Sequence, residues 1–201
     1  MTDNYAKIVQ NNLDKLYSSS LQDLAGHLPA LQEGERFIFE AFGETCVMGP
    51  GGIALGKADC PSVLGIIISL YALGACPDLC VSEPYQGFKS FPGSMPYSGA
   101  FVTHTEQVLV PHVEKIKNAV EKIMASLKGE KAPLETGGDF SFVVYPLPKI
   151  ALCYIFYEAD EDFPASVTCL YSHNADQFMP VDGLADTGEY TSKKILDLIG
   201  A

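Results

Sequence analysis

Lys89 is the only cation between Lys57 and Lys115, and four aromatic residues, Tyr85, Phe88, Phe91 and Tyr97, surround it along the chain. One fixed positive charge walled by rings suits a small anionic or planar ligand, because ligand pockets are mostly apolar with a few polar anchors. The alternative use of the same rings is to pin a long loop to the core. A second cluster, Glu158, Asp160, Glu161 and Asp162, is the densest acidic patch. Placed at a strand end, it offers several oxygens to a hard divalent cation. It lacks the D-x-[DN]-x-[DN]-G spacing of a calcium loop, so a solvated turn that blunts the sheet edge is the competing reading.

Of the six cysteines, Cys60, Cys76 and Cys80 fall in loop-like settings, and Cys76-Pro77-Asp78-Leu79-Cys80 presents two thiols four residues apart. A helix of about twelve residues between Cys60 and Cys76 would hold those two about 18 Å apart, too far for one zinc. Cys153 and Cys169 lie in apolar strands and read as core. Gly49-Pro50-Gly51-Gly52-Ile53-Ala54 fits the dinucleotide pattern G-x-G-x-x-A, and Gly51 to Lys57 fits the front of a P-loop. Both motifs work only where a helix begins at the glycines. Ile53-Ala54-Leu55 reads instead as a strand, and Ala58 replaces the hydroxyl that magnesium would need. None of His27, His104, His112 and His173 has a partner at ligand spacing, and no G-x-S-x-G elbow occurs.

The elements that must position these residues follow from periodicity. Ala6, Val9, Leu13, Leu16 and Tyr17 predict an amphipathic helix ending in Ser18 to Ser20. Arg36 to Phe42 and Thr45 to Met48, on either side of Gly43-Glu44, predict a hairpin, and Ile53 to Leu55 a third strand. Asp59 as cap, Pro61 in the first turn and Gly74 as stop bracket a helix apolar nearly all round, hence buried. From Ala75 to Ala100 the prolines and glycines leave no period, and a stretch of that length is often functional. Leu109, Val113, Ile116, Val120, Ile123 and Leu127 form one stripe on a long helix with Pro111 in its first turn and Gly129 at its end. Phe140 to Tyr145, Ile150 to Tyr157 and Val167 to Tyr171 predict three strands, the middle one central because both its faces are apolar. Lys193 to Ile199 closes the chain as a short helix. The expected class is α+β, a mainly antiparallel sheet of the N-terminal hairpin and the C-terminal strands packed with the buried helix and the amphipathic helix.

The chain has 201 residues, 47% hydrophobic, which fits one globular domain over residues 1–201 that needs neither disulfide nor metal to fold. Acidic residues number 25 against 13 basic, a net charge of -12, and Arg36 is the only arginine. That balance argues against nucleic acid and anionic membrane as partners. The start lacks a secretory layout, and the longest apolar run, Val63 to Cys76, is short for a bilayer crossing, so a cytoplasmic location with reduced thiols is expected.

Gly138-Asp139-Phe140, Leu147-Pro148-Lys149-Ile150, the phrase Tyr157-Glu158-Ala159-Asp160-Glu161-Asp162-Phe163-Pro164-Ala165-Ser166, and Phe178-Met179-Pro180 resemble a domain-of-unknown-function family, number 3786. Phe88-Lys89-Ser90-Phe91-Pro92-Gly93 and Tyr97 are similar to its central loop. The resemblance brings no assigned activity and no known cofactor. It implies an origin in anaerobic bacteria or archaea, where some members resemble fusions with a four-cysteine iron–sulfur module. Here the first cysteine is Cys46, so the N-terminal cluster motif of those fusions does not occur. The implied role is a free-standing accessory in cofactor or metalloenzyme metabolism, with an iron–sulfur protein as a partner.

Three functions are thus in view. The first is a non-catalytic domain binding a small anionic ligand at Lys89 and its rings. The second is an enzyme using Asp160, Glu161 and Asp162 with a divalent ion. The third is a structural homo-oligomer joined through apolar residues of the 75–100 segment.

Overall fold

The computed structural model describes residues 2–19, 21–60 and 62–201. Helix α1 (Thr2–Tyr17) and the short α2 (Leu24–His27) lead into an antiparallel meander: β1 (Leu31–Glu33), β2 (Arg36–Ala41), β3 (Glu44–Gly49), β4 (Gly52–Leu55) and β5 (Ala58–Asp59). The buried helix α3 (Val63–Leu73) follows, and then an irregular stretch broken by the short strand β6 (Gln86–Gly87) and a 3₁₀ turn, Phe88–Ser90. Next come α4 (Ser98–Phe101), a π-helical segment Val102–Glu106, a 3₁₀ segment Gln107–His112 and α5 (Val113–Ser126). A second meander, β7 (Glu130–Lys131), β8 (Phe140–Leu147), β9 (Ile150–Tyr157) and β10 (Ser166–Tyr171), precedes α6 (Val181–Ile199). The class is α+β, as the pattern implied.

The predicted hairpin and C-terminal strands belong to separate sheets, not to one. The first sheet runs β1-β2-β3-β4-β5 and the second β6-β10-β9-β8-β7, each with five antiparallel strands. They touch where the backbone N–H of Phe42, at the β2–β3 turn, donates to the Pro146 carbonyl of β8 at 2.6 Å. The inward faces of both sheets and the helices share one apolar cluster. Each large side chain fully buried there contributes roughly 1.5–3 kcal/mol.

Helix α3 behaves as its composition requires: Ile67, Ile68, Tyr71 and Ala72 are all buried, and Gly74 caps its end. Ser62 stands at the N-cap; Asp59 belongs to β5, while Pro61, like Ser20, lies outside the described residues. The stripe from Leu109 to Leu127 faces the core, but its first turns are 3₁₀ and the α-helix begins at Val113, after Pro111. Helix α6 starts twelve residues before its predicted beginning at Lys193 and includes Gly183 and Gly188 in its first half. Gly188 is there for close approach: a Cβ would lie 2.7 Å from both the Phe101 ring and the Tyr171 hydroxyl. Among the described residues no helix is long and apolar enough to cross a membrane.

Candidate functional site

Strand alternation sends Phe37, Phe39, Ala41, Cys46, Met48 and Ile53 of the first sheet into the core. The pairings Leu31↔Ile38, Ile38↔Val47, Val47↔Ala54 and Ala54↔Asp59 therefore lay a row of residues across its opposite face. Beside that row run Glu33↔Arg36 and Gly49↔Gly52. A cleft of about 820 Å³ is lined by Arg36, Val47 and Ala54 of this face, by the Gly49–Gly52 turn, and, on the core side, by Ile53, Cys60 and Ala6, Val9 and Gln10 of α1. Gln10 fixes the turn by donating from Nε2 to the Pro50 carbonyl at 2.9 Å. Tyr17 fixes the other rim by donating to the Glu35 carbonyl at 2.7 Å. Burial first, and the nearby Glu35 charge second, push the Tyr17 phenol up to about 12, so it remains a donor.

Arg36 is the cation of the cleft, with Glu33, Glu35 and Asp59 as its acidic groups. Its stem lies over Gly49, where a Cβ would sit 3.4 Å from Arg36 Cγ. Among the described residues its guanidinium makes no hydrogen bond or ion pair, in contrast to Lys117, Lys193 and Lys194, which pair with Glu158, Glu189 and Glu44. A guanidinium with unengaged donors in a concave site can take a carboxylate or phosphate by two parallel hydrogen bonds. The glycine-rich sequence singled out for its nucleotide-like pattern forms a strand-to-strand turn, with β4 and not a helix after it. It contributes shape to the cleft without the helix N-terminus that a phosphate loop requires.

The residues around Lys89 are dispersed. β6 pairs Gly87 with Leu170 and Gln86 with Tyr171, and this turns the next residues inward. Phe88 stacks on Phe101 with centroids 4.4 Å apart, and Phe91 meets Tyr171 edge-on at 5.8 Å, both rings buried. Tyr85 instead packs on the opposite face of the second sheet with Cys153, Tyr145 and Cys80. Desolvation, then the neighbouring Cys153, pushes its phenol up to about 12. Tyr97 and Lys89 are exposed. One charged residue outside the sequence-based site stands near Lys89: Glu106, at the end of the π-helical segment, accepts the Cys169 backbone N–H at 2.9 Å. Burial raises the Glu106 carboxyl above the usual range, opposed by that hydrogen bond and by Lys89. A π-bulge leaves no trace in hydrophobic spacing, although such bulges often mark functional positions.

The acidic turn is engaged with its own surroundings. Glu158 pairs with Lys117, and its backbone N–H donates to Asp139 at 2.6 Å. Asp160 Oδ1 accepts the backbone N–H groups of Asp162 and Phe163 at 2.8 and 2.7 Å. Glu161 and Asp162 are exposed. Among the described residues no three His, Cys, Asp or Glu side chains gather as a metal site.

Four cysteines, Cys46, Cys60, Cys153 and Cys169, are buried, while Cys76 and Cys80 are half-buried. Burial, then Cys60, pushes Cys46 up to about 12, and burial likewise raises Cys60, so neither serves as a ready nucleophile. The loop holding Cys76 and Cys80 is anchored by Lys149, itself only 4% exposed. The Lys149 ammonium donates to the carbonyls of Cys76 and Asp78 at 2.7 and 2.8 Å and lies 5.4 Å from the Phe178 ring centroid. Lys149 and Phe178 both fall within the distinctive phrases of the sequence. That was the available signal for a role in the fold.

The model of a family described as a domain of unknown function, DUF3786, matches residues 20–194. The chain belongs to that family. No curated protein and no solved structure matches it.

Proposed function

We propose that this chain is a domain that binds a small anionic ligand, and that the site is the cleft on the first sheet. The observation carrying the reading is the unpaired Arg36 guanidinium in a concavity of about 820 Å³, a size suited to a metabolite. An anionic group would seat on Arg36 and the ligand's body on Val47 and Ala54, which share its face. Glu33, Glu35 and Asp59 would repel a ligand carrying more negative charge than Arg36 neutralises, so singly charged or zwitterionic molecules fit best. The role in the cell that the family resemblance suggests, an accessory in anaerobic cofactor or metalloenzyme metabolism, is compatible with a binding domain.

Thermal-shift measurements against small carboxylates, amino acids and phosphate esters test this reading, since a ligand present at a hundred times its Kd stabilises the native state by about 2.7 kcal/mol. Wild type should be stabilised by at least one singly charged or zwitterionic compound. Arg36→Ala should abolish that gain and Lys89→Ala should preserve it. The reverse pattern would move the site to the loop of Lys89, with Glu106 as its neighbouring carboxyl.

A further inference from the structure

The acidic groups of the cleft are not equivalent as seen from Arg36. Glu33 is its cross-strand partner on β1, but the Arg36 stem leans the other way, over Gly49 of β3. Ahead of it on the same face lies Asp59, placed there by the pairings Val47↔Ala54 and Ala54↔Asp59. From β2 to β5 is three strand spacings, about 14 Å, and the row of Asp59 is offset from that of Arg36 by roughly 7 Å along the strands. The Arg36 stem crosses the first spacing only. Its guanidinium and the Asp59 carboxylate are therefore too far apart to pair, and among the described residues neither makes a hydrogen bond or an ion pair. The way between them is clear. Gly49 and Gly52 present no side chain, a Cβ at Gly52 would meet nothing within 4 Å, and Val47 and Ala54 supply a half-buried apolar floor.

Two unpaired charges of opposite sign, set apart over an apolar floor in one cleft, are complementary to a ligand with the reverse arrangement. Resting on the reading of this cleft as an anion site, we propose that its ligand is an elongated zwitterion, with a carboxylate for Arg36 and an ammonium for Asp59 at opposite ends of an apolar stem. An α-amino acid carries both charges on one carbon and cannot reach both groups. A dianion would set its second charge against Asp59, and a diamine would set one of its charges against Arg36.

Titration calorimetry on the full chain with glycine, γ-aminobutyrate, ε-aminocaproate and hexanoate tests the assignment. Wild type should bind ε-aminocaproate at least about tenfold more tightly than hexanoate, which lacks the ammonium, and than glycine, which lacks the stem. Asp59→Asn should bring ε-aminocaproate down to the hexanoate level and leave hexanoate itself no weaker. Asp59→Glu, whose carboxylate reaches further, should move the preference toward γ-aminobutyrate. Equal binding of ε-aminocaproate and hexanoate, tightest binding by glycine, or an equal loss of both long compounds in Asp59→Asn would overturn the zwitterion while leaving an Arg36-dependent carboxylate site in place. Silence from the whole series would overturn it too, and the thermal-shift response of wild type and Arg36→Ala to other carboxylates and phosphate esters then scores the cleft on its own.

Discussion

The second sheet is covered on both sides. Every residue of β9 except Tyr157 is buried, with Leu152, Tyr154 and Phe156 in the main core and Ala151, Cys153 and Ile155 under the loop carrying Cys80 and Tyr85. The first sheet is covered on one side only. Its other face carries Arg36, Ile38, Val47 and Ala54 at half-buried or exposed positions. A strand enclosed on both faces is committed to stability, since any change of volume is felt there. A strand enclosed on one face leaves alternate residues able to change with little cost to folding, and such residues can be used for recognition.

The sharpest way to break this contrast is to truncate matched residues. Phe156→Ala should cost about 3–5 kcal/mol in urea unfolding, and Val47→Ala less than about 1 kcal/mol. Equal losses would mean that the first sheet's outer face is covered in solution. Lys149→Met tests the cover of the second sheet. It leaves two inward carbonyls without a donor and should cost about 2 kcal/mol, with faster hydrogen exchange confined to the 76–86 loop. Uniformly faster exchange would show that Lys149 holds the core and not the loop.

Arg36→Ala should change stability in buffer by less than about 0.5 kcal/mol while removing the ligand-dependent shift in Tm, which sharpens the contrast from the other side. The smallest effect concerns Glu106. Burial raises its folded pKa above the unfolded value, so the folded state holds the proton more tightly. That contribution is complete below the unfolded pKa and is lost as pH rises through the raised folded one. Stability measured across this mildly acidic window should fall less steeply with pH in Glu106→Gln than in wild type. An unchanged slope would assign the titration to another group, Asp186 being the next carboxyl that burial raises.

The second sheet was readable from the sequence because a short run such as Ile150 to Tyr157, apolar on both faces and rich in aromatic and branched residues, fits a central strand. Helix α3 was readable because its apolar run ends at Gly74, a helix stop, and α5 because its stripe holds a helical period. The first half of α6 was hidden by glycines that serve packing, Gly188 against Phe101 and Tyr171 and Gly183 against Leu70 and Met179. The cleft was hidden more thoroughly. Arg36 looked like the polar start of a strand, and only pairing to β1 and β3 brings it together with Glu33 and the Gly49–Gly52 turn. The placement of the rings near Lys89 was not legible because aromatic composition is the same for a pocket wall and for a core contact; the structure buries Phe88 and Phe91 against Phe101 and Tyr171.

An open sheet invites a second molecule to add its own strand along the rim. Here the rim strands are three and two residues long and carry Glu33 and Asp59. Strands so short, bearing repelling carboxylates, give an incoming backbone too few bonds to dock. Growth into fibres by strand addition at this rim is thereby disfavoured.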